Sequence, residues 1–368
     1  MSPLRIVVWS TGWIGSIAID AIGRRPDLDL VGVWVHSPDK AGRDAGELAG
    51  IGPINLAAIR DADALLALAP DCIVYAASGP ERDAIAVPDY ERMLRAGINV
   101  VSVSSPSLVY PPGSVPEVTA RLADAAAAGG ASFYASGIEP GFAADQLPLT
   151  LATQSRSITS IRSTEIFLYH EYPVAFMMRD VMGFGMPMDY EPLLATPGAQ
   201  TGAWGPSVRL VAAGLGVEID ELREVYDRAE APRTIETASG VVEAGTCGAV
   251  RARTVGIVDG REAITIEHVN RMTPDIAPDW PTGAVDGTYR VVIDGDPPIS
   301  CDMTVGDPAS PTAGGMVATA MRVVNAVPHV VAAPPGLLSS LDLPLTLPRA
   351  AFAGAPQVAQ TVASGGNR

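Results

Sequence analysis

Little in this chain suits metal or disulfide chemistry. Among its 368 residues are 3 cysteines, Cys72, Cys247 and Cys301, widely separated and without the paired spacings of metal sites or disulfide frameworks. Reduced, mostly buried thiols and no metal are expected. Positive charge is scarce as well: 25 Lys and Arg stand against 41 Asp and Glu, a formal net charge of −16. A nucleic-acid partner is therefore not expected, because phosphate backbones are bound through net positive surface. No run of about 18 apolar residues suggests a membrane span, and the N-terminus enters a strand without a basic region ahead of an apolar core. A cytoplasmic protein is expected.

What is present is apolar and alternating. At 48% hydrophobic residues, the chain is long enough for two domains around sizeable cores. Leu4–Trp9 is a short apolar run of the kind found in buried parallel strands. Beyond Gly15 the period changes, with Ile14, Ile17, Ala18, Ala21 and Ile22 on one helical face until Pro26 enforces a stop. A strand over 30–35 completes a βαβ unit. The alternation continues through a helix over 61–68, a strand over 72–77, a helix from Pro88 to Gly97 and a strand over 99–103. Ser114 and Glu117 have capping-box spacing ahead of a helix over 118–128, and 132–135 is a further strand. This is a doubly wound, Rossmann-type parallel sheet.

From about residue 157 strands follow turns instead of helices. Residues 251–258 and 262–269 flank Asp259-Gly260, a type I′ hairpin signal. Residues 289–293 and 299–305 flank another turn, and 207–215 reads as a helix on one face. The expected fold is thus α/β, with a dinucleotide-binding domain over 1–140 and a second α+β domain over 141–311 carrying a largely antiparallel sheet for substrate and dimer contacts. A C-terminal helix over 312–327 and a Pro-rich tail, together 312–355, should return to the first domain, with 356–368 disordered.

The turn Ser10-Thr11-Gly12-Trp13-Ile14-Gly15 joins a strand to a helix. There Gly12 allows close backbone approach to a diphosphate, Gly15 allows helix and strand to pack, and the first amides of the helix attract the anion. Trp9 replaces an earlier glycine without disturbing those two positions. The second strand leads into His36, Ser37 and Lys40, with Arg43 close behind, where an NAD site usually has a carboxylate. Hydroxyl and cationic groups suit the extra phosphate of NADP, though NAD is possible and Lys40 and Arg43 also read as ordinary surface charges. Ser78 and Gly79, and Ser102 and Val103, end the next strands, where ligands of open parallel sheets collect.

Reduction by a nicotinamide needs a proton donor and an apolar pocket. Candidate donors are Glu139 and His170, then Tyr169 and His268, the last reading as more structural. Glu139 and Asp145 also read as partners of a helix dipole. Phe142, Tyr169, Met177 and Trp280 are candidate substrate contacts, with Met178, Phe184 and Met186 available to line a pocket or a core. Arg179 is the main cation near these positions, so a substrate of little negative charge is expected.

The stretches STGWIGS, SPDKAGRDAGELAGI, INVVSVS, ASGIEPGFAADQLP, RDVMGFGMP and RVVNAVPHVVAAPPGLLSSLDLPL resemble, in that order, the dihydrodipicolinate-reductase-like family that includes 2,4-diaminopentanoate dehydrogenase and the native amine dehydrogenases. The resemblance implies a nicotinamide-dependent oxidoreductase, ammonia as a co-substrate and a homodimer. Two departures matter. The paired histidines and lysine of dihydrodipicolinate reductase are absent, Tyr169-His170-Glu171 being the nearest match. The glutamate that follows the fourth strand in amine-forming members is also absent, since no acidic residue lies between Asn99 and Glu117. Three readings stay open: an amine dehydrogenase, a ketone or aldehyde reductase without amination, and a non-catalytic NADP-binding sensor.

Overall fold

The computed structural model describes residues 2–77, 80–307, 309–349 and 352, with the side chains of 80–84 left aside. Ser78 and Gly79 lie outside the described residues, as does the expected disordered tail over 356–368. The first sheet begins with β1 (Leu4–Trp9), α1 (Trp13–Gly23), β2 (Leu28–Trp34), α2 (Ala45–Ala49), α3 (Ala62–Ala67) and β3 (Cys72–Tyr75). It continues through α4 (Pro80–Arg95), β4 (Asn99–Ser102), α5 (Pro116–Gly129) and β5 (Ser132–Ala135).

The second lobe follows with α6 (Gln146–Ala152), β6 (Ser157–Leu168), α7 (Ala199–Leu215), β7 (Glu221–Glu230), and a small hairpin, β8 (Ile235–Thr237) and β9 (Gly240–Val242). β10 (Cys247–Val258), β11 (Arg261–Arg271), β12 (Thr288–Asp296) and β13 (Ile299–Thr304) complete it. The chain then returns to the first lobe through α8 (Pro311–Ala332) and β14 (Gly336–Leu338).

The first sheet is parallel throughout, in the order β14-β5-β4-β3-β1-β2. Its central strands are buried on both faces, which is why they read as continuous apolar runs. One face packs against α1 and α8 through Val8, Ile22, Val323 and Val327. The other packs through Trp9, Ile73, Tyr75 and Leu122. Trp9 therefore turns into the core, where it stacks on Trp34 with ring centroids 4.8 Å apart. α8 is long and apolar enough by composition to cross a membrane, yet Val323, Val324, Val327 and Val330 are fully buried against the sheet. Burying each such side chain is worth about 1.5–3 kcal/mol.

The second sheet runs β13-β12-β6-β11-β10-β7. Four of its five pairings are antiparallel and the central one, β6 with β11, is parallel. A parallel pair needs a long crossover, and the chain from β6 through α7 to β10 supplies it. The β10–β11 hairpin turns at Asp259 (φ 51°) and Gly260 (φ 72°), the two positive φ angles of a type I′ turn.

Local details depart from expectation at three helices. α4 starts at Pro80 and holds Pro88 inside it, so Pro88 does not open the helix. α5 starts at Pro116 with Val115 as an N-cap lacking any side-chain bond; proline preset for the first helical position replaces the capping box expected of Ser114. In α1 the buried stripe is Gly15, Ala18, Ile19 and Ile22, leaving Ile14, Ile17 and Ala21 half-buried.

One polar junction ties the ends of the first lobe together. Arg25, almost fully buried, grips the Asp27 carboxylate with Nε and Nη2, both at 2.7 Å, and donates from Nη1 to Asn325 of α8 at 2.9 Å. Arg25→Leu should lower folding stability by about 1–2 kcal/mol, because buried Asn325 and half-buried Asp27 lose their donor. Urea denaturation measures this, and an unchanged midpoint would contradict it.

Candidate active site

The chain turns from β1 into α1 through Ser10, a non-glycine residue at φ 110°. A Cβ on Gly15 would lie 2.1 Å from the Ser10 carbonyl oxygen, so only glycine lets the helix sit this close to the strand. Gly12 differs: a Cβ there would meet nothing nearer than Ser10 Oγ at 3.7 Å. Gly12 is the N-cap of α1, and no side chain among the described residues caps that helix. Its first amides, at the positive end of the helix dipole, thus face an open approach, a cradle that fits a diphosphate. Thr11 is buried, Ile14 is half-buried and Trp13 is 48% exposed beside the turn.

Lys40 reaches the same turn from the far end of β2, its Nζ 3.3 Å from Thr11 Oγ1 and 3.4 Å from the Thr11 carbonyl oxygen. Ser37 caps the short turn Pro38–Lys40, and the exposed His36 ring lies 6.0 Å from that of Trp34. Arg43 is exposed and forms no ion pair among the described residues. A cationic group and a hydroxyl therefore stand together beside the turn, at the far end of β2. The Ser102 hydroxyl is engaged inside the protein, 2.7 Å from Tyr90 Oη and 3.0 Å from the Ser104 amide. Val103 is half-buried, with its N–H on the Tyr75 carbonyl.

Where β5 leaves the first sheet, the turn Ile138–Phe142 crosses toward the second lobe. Glu139 is extended there (φ −154°, ψ 113°) and α6 begins only at Gln146, so Glu139 is not an acid of a helix first turn. Its Oε1 lies 3.5 Å from Nε2 of His268 on β11. Nδ1 of the same ring lies 3.4 Å from Oε1 of Glu165 on β6, which also accepts from Tyr169 Oη at 2.7 Å and Asn270 Nδ2 at 3.2 Å. The Trp204 ring of α7 covers His268 at 4.2 Å. All three ionisable side chains are at least nine-tenths buried: 4% of Glu139, 7% of His268 and 9% of Glu165 remains exposed.

Burial acts most strongly on each of them, and the partners decide the outcome. For Glu139, burial wins and, with the nearby Glu165 charge, holds its pKa above the usual carboxylate value despite His268. For Glu165, burial is outweighed by His268, Tyr169 and Asn270, and its pKa falls. For His268, the two carboxylates overcome burial and push the pKa up to about 10. The cluster accordingly holds an imidazolium, a carboxylate and a second carboxyl group that keeps its proton more tightly than usual. Asp145 caps α6 through the Gln146 amide, and burial pushes its pKa up to about 7.

Of the other sequence candidates, His170 is not part of this cluster. Its carbonyl accepts the Ala238 amide and its Nδ1 is buried without a partner among the described residues. Tyr169 is in the cluster through its hydroxyl and stacks on Tyr172. Phe142 packs beside Phe167 and Tyr289 beneath the Arg322 guanidinium, placing it next to Glu139. Met177 is 37% exposed, whereas Met178 and Phe184 are core residues and Met186 meets Arg179 through sulfur. Trp280 stacks under Arg271, whose guanidinium donates to the carbonyls of Ile276, Ala277 and Pro281. The residues missed in the sequence are Glu165, Asn270, Trp204 and Tyr289. The signal was present: Glu165 shares the inward register of Ile161 and Phe167, as His268 and Asn270 share that of Ile264 and Ile266.

A family model of the 2,4-diaminopentanoate dehydrogenase C-terminal domain matches residues 142–361. The chain is 42% identical over 344 residues to an amine dehydrogenase of Streptomyces virginiae, spanning 92% of this chain and 96% of that one. It is 26% identical over 256 residues to the 2,4-diaminopentanoate dehydrogenase of Acetoanaerobium sticklandii, covering 69% and 68%. Its fold matches that of an amine dehydrogenase from Mycobacterium smegmatis, with TM-score 0.77, 20% identity and coverage of 94% and 97%. It also matches GenD2 from gentamicin A biosynthesis, solved with NAD, with TM-score 0.53, 15% identity and coverage of 89% and 87%.

The two glycines of the turn should separate under substitution. Gly15→Ala should destabilise the fold by about 1–3 kcal/mol, since a backbone oxygen has to move. Gly12→Ala should lower stability by less than about 1 kcal/mol while weakening dinucleotide binding by ~10-fold or more, some 1.4 kcal/mol. Thermal melts and calorimetric titration check both; equal effects of the two on stability would contradict the geometry.

Proposed function

Since the chain belongs to the family of the amine dehydrogenases and 2,4-diaminopentanoate dehydrogenase, a family of oxidoreductases, we propose that it is an NADP-dependent enzyme that reduces the C=N or C=O bond of a small, rather apolar compound. The observation that carries this reading is the buried Glu139–His268 pair at the crossing between a dinucleotide-type turn and an aromatic second lobe. When bound, the nicotinamide supplies the hydride.

The remaining tasks fall to this chain's own side chains. The first amides of α1 and Lys40 hold the phosphates, and His36 and Ser37, which follow β2 directly ahead of Asp39, favour the phosphorylated cofactor. Glu139 faces the crevice and holds or transfers a proton at the substrate's nitrogen or oxygen, with His268 as its partner. Its position at the end of β5 takes the place of the glutamate that follows β4 in amine-forming relatives. Phe142, Phe167 and Tyr289 offer the apolar wall. Arg271 and Arg322 are occupied by protein partners, so nothing among these residues rewards a substrate carboxylate. Reductive amination with ammonia fits best, because buried acceptors at Glu139 Oε1 and Asn270 Oδ1 lack a hydrogen-bonded donor among the described residues. With this reading go a homodimer and a cytoplasmic location.

The test follows NADPH absorbance with cyclohexanone, with and without a large excess of ammonium. Oxidation that requires ammonium is expected. Oxidation indifferent to ammonium would make the protein a carbonyl reductase, and tight NADPH binding without turnover on a broad ketone panel would make it a sensor. Glu139→Gln should reduce kcat by about 100-fold or more, the usual worth of a general acid or base, with the NADPH Kd unchanged. Parent-like turnover in that variant would remove Glu139 from the mechanism.

A further inference from the structure

We propose that Glu165 is a positioning residue: it fixes the ring of His268 by its Nδ1–H so that Nε2–H is presented to Glu139. This rests on the proton-transfer role given above to Glu139, yet it can be tested without turnover.

The argument begins in the sheet. Glu165 and His268 are direct partners across the parallel β6–β11 pair, and Tyr289 is opposite Glu165 on the other side. Their side chains therefore stand at one level on one face. Three donors converge on Glu165 Oε1: Tyr169 Oη, Asn270 Nδ2 and His268 Nδ1. A carboxylate so supplied stays ionised and acts as a fixed acceptor. Trp204 covers one face of the imidazole at 4.2 Å, an arrangement that favours a cation over an indole ring. Only Nε2 is left outside that contact, and Glu139 is what it meets. The arrangement follows the logic of carboxylate-oriented histidines, where the outer group sets tautomer and direction without touching the substrate.

Among the described residues, ionisable groups surround this ring and its two carboxylates from several elements, α8 contributing Arg322 above Phe142. Glu139 comes from the crossing turn, with Asp145 behind it; Glu165, Tyr169 and Tyr172 come from β6 and its continuation; Tyr289 comes from β12. α7 contributes Trp204, which is uncharged, and β10 places Ala252 opposite His268.

The chain has 4 histidines, few enough for each ring to be followed by NMR of protein labelled with 15N-histidine. In the parent, both His268 nitrogens should stay protonated through neutral pH, and the ring should lose one proton near pH 10. In Glu165→Gln, loss of the neighbouring anion disfavours the charged ring, so the midpoint should fall by about one pH unit or more. Glu165→Asp, which keeps the charge, should restore most of the shift. In enzymatic assays the alkaline limb of kcat/KM should move to lower pH with the same variant. A His268 in the parent that is neutral at pH 7, or a midpoint unmoved by Glu165→Gln, would overturn the proposal. If Glu165→Gln fails to fold, the parent decides by its tautomer above the midpoint: a neutral ring still protonated at Nδ1 is expected, and one protonated at Nε2 instead would overturn the proposal. Absence of turnover in the parent would defeat the proposed function and leave this result standing.

Discussion

Two carboxyl groups and an imidazole are buried together where the lobes meet, and the rest of the arrangement depends on how their charges balance. An isolated ion in such a place costs several kcal/mol. Here the cost is offset because His268 lies between Glu139 and Glu165, while Tyr169 and Asn270 saturate the more deeply held carboxylate. The balance is incomplete around Glu139 and at Asn270 Oδ1. Glu139 Oε1 and His268 Nε2 have no hydrogen bond among the described residues beyond their mutual 3.5 Å approach. Buried polar atoms left in that condition are uncommon, and they concentrate where a ligand completes the set.

Backbone geometry delivers these groups. The register of β6 against β11 puts Glu165 beside His268, and the turn Ile138–Phe142 carries Glu139 across from the first sheet. α7 bridges the same gap with Trp204. The return of α8 and β14 to the first sheet closes the structure, so that the glycine turn and the buried acidic cluster belong to a single framework. Arg322 of α8 bonds both Tyr134 at the end of β5 and Thr346 of the final segment while lying over Phe142. The wall of the crevice and the first lobe are thereby joined.

Much of this was legible before the structure. Continuous apolar runs separated by helical periods could only be a parallel sheet, and Asp259-Gly260 could only turn a hairpin. Gly15 announced a close contact that the 2.1 Å clearance bears out. The site was harder. Glu139 stood out because it lies in a glycine- and proline-rich crossing at a strand end, but its partner was not His170, which is nearer in sequence. His268 was read as structural because a histidine in a strand usually is. Its role depends on a strand more than 100 residues away, and no local pattern reports which inward residues of β6 and β11 come level. Ser114 shows the same limit in reverse: its capping spacing was correct, but Pro116 already supplied the helix start.

The most direct test of the account is a crystal structure with NADP+ and tert-butylamine, an amine that carries no hydrogen on the carbon bearing nitrogen and so has no hydride to give back. The account predicts the diphosphate on the first amides of α1, the extra phosphate near Lys40, and the amine nitrogen within hydrogen-bonding distance of Glu139, between it and the nicotinamide ring. A nicotinamide lying away from Glu139, or an amine nitrogen bound out of reach of Glu139, would contradict it.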